Sequence, residues 1–295
     1  MIADAASRFE SHRSLLVRHA YRMLGEHAEA EDVVQDAFVR WHAALATSTV
    51  DDDRAFLRTT VTRLCIDRAR SARARREVYV GPWLPEPLVA PETGDPEAIV
   101  TLADDVSFAL LLALERLSAL ERAAFLLHDV MDVPFSEIAI TLNRSEDAVK
   151  KLASRARAHI RKPRAPAAAS ASENARLRAQ FLAAIQRDDL ALLQHLLAED
   201  VVFISDSGGK VPAAMVPVTG RDHVGRLLLG LSRKAPPGMQ VVPALVNAAP
   251  GLIISDADRV IQTVALEIAD GRIAAIYVTR NPDKLRTVPF ASKPV

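Results

Sequence analysis

The sequence predicts a multidomain chain: two all-α modules followed by an α+β domain. Three observations carry this. Apolar residues recur at three- to four-residue spacing through most of residues 8–162. Two stretches break that period, one rich in proline and one low in complexity. After the second break, two short helical patterns give way to runs of β-branched residues. The 295 residues suit two or three domains at roughly 100–200 residues each. With 49% hydrophobic and 25% charged residues, the chain is neither disordered, collagenous nor a disulfide scaffold. Its single cysteine, Cys65, makes no internal disulfide or zinc knuckle, and no metal or other cofactor is expected. No stretch approaches the ~18 consecutive apolar residues of a membrane span. Met1 to Glu10 shows no basic region followed by an apolar core, so a cytoplasmic protein is expected.

The elements follow in order. Val34, Phe38, Trp41 and Leu45 form one apolar stripe, while Glu29, Asp32 and Asp36 lie on another face of the same helix. Phe56, Leu57, Val61, Leu64 and Cys65 are the apolar face of a following basic helix, with Cys65 read as a small core residue. Residues 79–100 contain Pro82, Pro85, Pro87, Pro91 and Pro96, which remove amide donors, so this segment reads as a linker. Trp83-Leu84 is an apolar island that a mere tether would not need. Helices resume with Leu110, Leu114, Leu117 and Leu120, then Phe125, Leu126 and Val130. Pro134 fits the first turn of a helix burying Phe135, Ile138, Ala139 and Leu142. Asn143-Arg144 makes a turn, and Ser145 caps a helix burying Val149, Leu152, Ala153, Ala156 and Ile160. That pair is a helix-turn-helix pattern. Residues 163–172 read as a second linker. Leu177, Phe181 and Ile185 then mark one helix; Leu190, Leu193 and Leu197 mark another. Strands are expected at Val201–Ser205, Gln240–Val246, Gly251–Ser255, Val260–Ile268 and Arg272–Thr279, with Asp270-Gly271 a hairpin turn. Val224, Leu227, Leu228 and Leu231 supply a helix between strands. The expected domains are thus 1–78, 101–162 and 173–295, joined by 79–100 and 163–172.

The net charge is zero, but the charges are segregated. Glu26 to Asp36 holds five acids and no Lys or Arg; Arg54 to Arg76 holds eight Arg and one acid, Asp67. Glu77 to Glu115 holds eight acids and no Lys or Arg; Arg144 to Arg164 holds eight basic residues and two acids. Charges are screened beyond ~10 Å, so these local fields matter more than the total. Arg58, Arg63, Arg68, Arg70, Arg73, Arg75 and Arg76 form one patch, suited to phosphate through the planar guanidinium fork. The other lies on the second helix of the helix-turn-helix, whose outward positions include Glu146, Asp147, Lys150, Lys151, Ser154 and Arg155. Such groups can donate to guanine edges or accept from cytosine.

The order of acidic helix, basic helix, acidic linker and helix-turn-helix resembles the extracytoplasmic-function sigma factors of bacterial RNA polymerase. Ala30-Glu31-Asp32-Val33-Val34-Gln35-Asp36-Ala37-Phe38 is similar to their clamp-docking helix. The segment from Phe56-Leu57 to Asp67-Arg68-Ala69-Arg70-Ser71 is similar to the one that melts and reads the −10 element. Leu117-Ser118-Ala119-Leu120-Glu121-Arg122 opens a region-4-like domain, and Arg155-Ala156-Arg157 closes its recognition helix. The resemblance implies core polymerase binding, on the β and β′ subunits, through Asp32, Gln35 and Asp36. It implies −10 contacts from Arg58, Thr60, Arg63, Asp67, Arg68, Arg70 and Arg73, with a flipped base held near Thr60–Leu64. It implies −35 contacts from Ser145, Asp147, Lys150, Lys151, Ser154 and Arg155. It also implies an acidic linker that occupies the RNA exit channel.

A finer resemblance is to the subgroup with a fused SnoaL-like extension, a cone-shaped α+β barrel. Trp83-Leu84-Pro85-Glu86-Pro87 is similar to its linker signature, and Asn281-Pro282-Asp283-Lys284-Leu285 matches its tail segment completely. Its Asp-Gly-Gly-Gly-Lys turn reads here Asp206-Ser207-Gly208-Gly209-Lys210, with Ser207 in place of one glycine. The resemblance implies that these segments act together as a built-in regulator, with a small ligand for the cone. It leaves one alternative, a helix-turn-helix regulator fused to a ligand-binding or SnoaL-type enzymatic domain. Asp206, His223 and Tyr277 would be the acid-base set of such an enzyme if they met in the cone. His195, in a Leu-rich helix, reads as structural.

Overall fold

The structure is a computed structural model that describes residues 2–47, 50–91, 106–160 and 171–289. The side chains of Arg70, Arg73 and Arg75, the segment 92–105 with Pro96, and most of the expected second linker lie outside the described residues. The chain forms two compact units, Met1–Val78 with Leu111–Arg161, and Tyr79–Leu110 with Lys162–Val295.

In the first unit, α1 (Ile2–Leu24), α2 (His27–Thr47) and α3 (Asp53–Glu77) pack together. Val34 and Trp41 of the expected stripe are fully buried, and Val33 and Ala37 join them, so the buried face is wider than the stripe. The Trp41 indole donates to Asp53 Oδ1 at 3.0 Å, and the Arg8 guanidinium lies 5.5 Å from the Trp41 ring centroid. Asp52 caps α3 by accepting the Ala55 amide, and Leu57, Val61, Leu64 and Cys65 are buried along it. After α4 (Phe108–Glu115), Ser118 and Glu121 form a reciprocal capping box on α5 (Ala119–Phe125). A π-helical turn, Leu126–Val130, follows. Helix α6 (Phe135–Leu142) stops at Asn143, whose φ of 51° is left-handed, a conformation asparagine tolerates. Ser145 then accepts the Ala148 amide and starts α7 (Glu146–His159). The expected core positions Val149, Leu152, Ala153 and Ala156 of α7 are buried, and so is Ile160 at its C-cap.

The second unit is α+β. Helices α8 (Ala171–Gln186), α9 (Leu190–Leu196) and α10 (Arg221–Arg233) accompany seven strands in the order β1-β4-β5-β6-β7-β2-β3. These are β1 (Val89–Pro91), β2 (Leu197–Asp206), β3 (Val218–Thr219), β4 (Gln240–Val246), β5 (Ala249–Ser255), β6 (Val260–Ala269) and β7 (Arg272–Thr279). Among the described residues, only the β2–β7 ladder is parallel. Asp270 and Gly271 both take positive φ, as the β6–β7 hairpin turn demands. One cluster of apolar side chains joins the helices to the sheet through Phe181, Leu193, Val224, Leu266 and Ile276. A second, smaller cluster joins Ala244 and Ile253 to Leu285 and Val288 of the tail, with Val89 against it.

Three features depart from the expectations. Leu197 begins β2 rather than continuing a helix, because its buried side chain belongs to the sheet core. Strand β3 is too short to leave a periodic signature. The Pro-rich segment contributes edge strand β1, with Val89 opposite Val246 and Pro91 opposite Ala244. Buried Asn247, at φ 49°, secures this segment: its Oδ1 accepts the Leu88 amide, its own amide donates to the Leu88 carbonyl, and its Nδ2 donates to the Val106 carbonyl.

Candidate nucleic-acid interface and linker–tail cluster

Helix α7 presents Ser145, Asp147, Lys150, Lys151, Ser154 and Arg155 to solvent on the face opposite its buried residues. Lys150 pairs with Glu146 one turn back at 2.7 Å, and Arg155 pairs with Glu121 at 3.4 Å. The six residues expected at −35 therefore share one exposed face.

The residues expected at −10 are more varied. Asp67 is exposed. Arg58 is buried and donates to Glu137 Oε2 at 2.7 Å. Arg63 donates from Nε to the Thr141 carbonyl at 2.8 Å and from Nη2 to the Ile140 carbonyl at 2.9 Å. Thr59 and Thr141 exchange a hydroxyl hydrogen bond at 3.1 Å. Thus α3 lies against the C-terminal end of α6, where a guanidinium complements the negative helix end. Thr60 bonds its own helix, at the Phe56 carbonyl. Arg68 donates to Asp36 Oδ2 at 2.8 Å and lies 3.8 Å from Asp32, tying a −10 candidate to the polymerase candidates on α2. Asp32, Gln35 and Asp36 are all exposed.

The linker, turn and tail motifs converge inside the second unit. Asp206, at the end of β2, has no exposed surface. Its carboxylate accepts from the Tyr79 hydroxyl at 2.6 Å, the Leu84 amide at 2.9 Å, the Gly208 amide at 3.1 Å and Lys284 Nζ at 2.8 Å. Lys284 also donates to the Leu84 carbonyl and sits 4.4 Å from the Trp83 ring centroid and 5.2 Å from that of Tyr79. Asn281 donates through its backbone amide to the Asp206 carbonyl and through Nδ2 to the Tyr79 hydroxyl. Thr287 donates to Glu86 at 2.8 Å. Leu84, Pro85, Glu86, Pro87 and Leu285 are buried, while Pro282 is exposed.

The turn after β2 explains the departure from the subgroup pattern. Gly208 and Gly209, not Ser207, carry positive φ. A Cβ on Gly208 would meet Asn281 Nδ2 at 2.6 Å, and one on Gly209 would meet Val80 at 2.9 Å. Ser207 supplies its Oγ to the Gly209 amide at 3.3 Å, so it fits without strain. Lys210 pairs with Asp283, and this holds the Asp283 carboxyl below the usual carboxylate range.

The proposed acid-base set does not assemble. Asp206 is occupied by Lys284, His223 is exposed on α10, and the Tyr277 hydroxyl donates to Glu267 at 2.7 Å. Burial, then the Glu267 charge, raises the Tyr277 pKa. His195 is exposed in the last turn of α9. Sequence reasoning missed Tyr79 and Asn247. Tyr79 left a signal, an aromatic residue four positions before Trp83; Asn247 left none.

The exposed helix-turn-helix face, the basic helix beside an acidic one, and the α+β extension define a sigma-type DNA-reading protein. Residues 8–75 match Sigma-70 region 2 and residues 107–160 match Sigma-70, region 4. The chain belongs to the extracytoplasmic-function (ECF) RNA polymerase sigma factors, which bind core polymerase and promoter DNA and direct transcription initiation. It is 39% identical to ECF RNA polymerase sigma factor SigJ of Mycobacterium tuberculosis, over 97% of this chain and 95% of that one. It is 32% identical to the probable ECF RNA polymerase sigma factor SigI of the same species, over 95% of this chain and 94% of that one. The crystal structure of SigJ matches with a TM-score of 0.78 at 37% identity, covering 97% of this chain and 100% of that one. Among the described residues, no helix is long and apolar enough to cross a membrane.

Proposed function

We propose that this sigma factor is controlled by its own C-terminal domain through the linker–tail cluster, without a separate anti-sigma protein. The observation that carries the reading is Asp206, which ties Tyr79 and Leu84 of the linker to Lys284 of the tail inside one buried network. The linker joins α3, the proposed −10 reader, to the region-4 helices. Holding it on the sheet restricts the path between the two promoter-reading modules, and releasing it frees that path. Helix α7 enters the −35 major groove with the six exposed residues named above. Helix α3 holds the −10 strand, where Arg58 and Arg63 exchange their Glu137 and carbonyl partners for phosphates. A base flipped from the stack costs a few kcal/mol, which strand contacts and polymerase offset. Asp32, Gln35 and Asp36 engage the β′ clamp, and the acidic linker meets the polymerase near its RNA exit channel. A small ligand in the C-terminal domain would act by biasing the held and released states.

Runoff transcription with core polymerase tests the reading. Trp83→Ala and deletion of residues 281–295 are expected to shift output in the same direction, and the double variant is expected to be non-additive because both remove one shared interaction. Independent, additive effects would sink the shared device.

A further inference from the structure

Lys150, one of the six residues expected at −35, is held from two sides. Its Nζ lies 2.7 Å from Glu146 Oε1, one helical turn back on α7. It also lies 5.9 Å from the ring centroid of Phe135, the first residue of α6. That ring is fixed in turn. It stacks on His128 of the π-helical turn, with centroids 3.8 Å apart and planes at 27°. His128 Nδ1 donates to the Val133 carbonyl at 3.1 Å. The Lys150 and Glu146 side chains are both half exposed, so the pair faces outward and the ammonium stays reachable. The Glu146 hydrogen bond, then its charge, raise the Lys150 pKa, and Asp147 adds to this through its charge.

A lysine ammonium on its four-carbon stem reaches a phosphate as readily as a base, and a phosphate contact carries no sequence information. Ion pairing changes that choice. One of the three N–H groups goes to Glu146 and leaves two for an acceptor, while the carboxylate beside them repels phosphate. The acceptor that suits a positioned lysine is the O6/N7 edge of guanine in the major groove. From this geometry we propose that Glu146, outside the set expected at −35, is a positioning residue. It makes Lys150 a reader of guanine instead of a phosphate clamp, with the Phe135 ring as the second support. A surface pair four residues apart adds little to stability, so its effect lies in aiming the ammonium. The inference rests on Lys150 facing the −35 groove, as proposed above.

Selection by the full chain from a duplex library randomised at its centre identifies the preferred sequence. Affinities for that duplex and its single-base variants, across a salt series, then test the role of Glu146. Lys150→Ala is expected to lower a guanine preference at one position at least fivefold. Glu146→Ala is expected to weaken the same preference at least threefold and leave the other positions unchanged. It should also steepen the log–log salt slope by up to about one unit, as the freed ammonium takes a phosphate. Glu146→Gln, which keeps the acceptor and removes the charge, is expected to restore part of the preference. In the Lys150→Ala chain, Glu146→Ala is expected to change no base preference. An unchanged guanine preference in Glu146→Ala, a loss spread over every position, or an equal effect of Glu146→Ala with and without Lys150 would each overturn the inference. No selected sequence, or wild-type preferences in Lys150→Ala, would overturn the −35 reading of Lys150 and this inference with it.

Discussion

His19 is buried with Nε2 2.9 Å from the Thr62 hydroxyl, a contact that holds α1 to α3. Burial first, then the charges of Arg22 and Arg58, lowers its pKa from 6.5 to about 3. The native chain therefore keeps His19 neutral where the unfolded chain has already taken up a proton. The resulting stability is fully present above pH 6.5 and is lost as pH falls toward 3. Urea unfolding across that window should show stability falling with pH by at most ~1.4 kcal/mol per pH unit from this group. His19→Gln should flatten the slope; equal slopes in the two chains would exclude His19 as its source. At Asp206 the issue is the pairing of two buried charges. Lys284 and Asp206 have side chains 8% and 0% exposed, so removing one leaves the other buried and charged. Lys284→Ala should cost about 3 kcal/mol, and adding Asp206→Asn should recover part of that loss. A double variant no more stable than Lys284→Ala would mean that shape, not charge, holds the cluster.

Helix α7 shows how an element divides its labour. Val149, Leu152, Ala153 and Ala156 bury one face, and the basic residues occupy the other by the same 3.6-residue period. Its cap lies in the turn, at Ser145, so the end of the helix is fixed where DNA reading starts. Lys150→Ala and Lys151→Ala should each weaken −35 binding, by about 1–3 kcal/mol for a base contact or by a reduced salt slope for a phosphate contact. Filter binding across a salt series separates the two. Wild-type binding by both variants at every salt would move the docking face elsewhere. Helix α3 is the harder case, because its arginines serve two purposes. Arg63 ends on α6 carbonyls, so an outward basic residue in the sequence need not be a residue waiting for phosphate.

Across the whole molecule, the linker is part of the C-terminal fold. Strand β1 extends the sheet beyond β4, Asn247 clamps Leu88 and Val106, and Leu84 is fully buried. An isolated 173–295 piece lacks β1, Leu84 and both partners of Asn247, and leaves the edge of β4 and the Asp206–Lys284 pair uncovered. Open edges and uncovered polar pairs favour aggregation and lower stability. That piece should therefore melt below the corresponding transition of the full chain, or associate, when followed by circular dichroism and light scattering. Equal melting with a monomeric state would mean that the linker only rests on the sheet.

The sequence by itself determined the elements and the family. Apolar period, caps and hairpin turn are local, and they located α7, the β6–β7 hairpin and the buried Cys65. The motif resemblance located the linker, turn and tail segments. Tertiary structure decided what those segments touch. A charged Asp206 in a glycine-rich turn reads as a surface residue; it is buried because Lys284, 78 positions later, neutralises it. Val89–Pro91 reads as proline-rich linker; it is a strand because β4 offers an open edge. Arg63 reads as a DNA contact, and its present partners are carbonyls 77 and 78 positions away. Local period records which face of an element is apolar. It carries no record of which distant group will satisfy a buried charge or an unpaired strand edge, because that pairing forms only when the chain closes on itself.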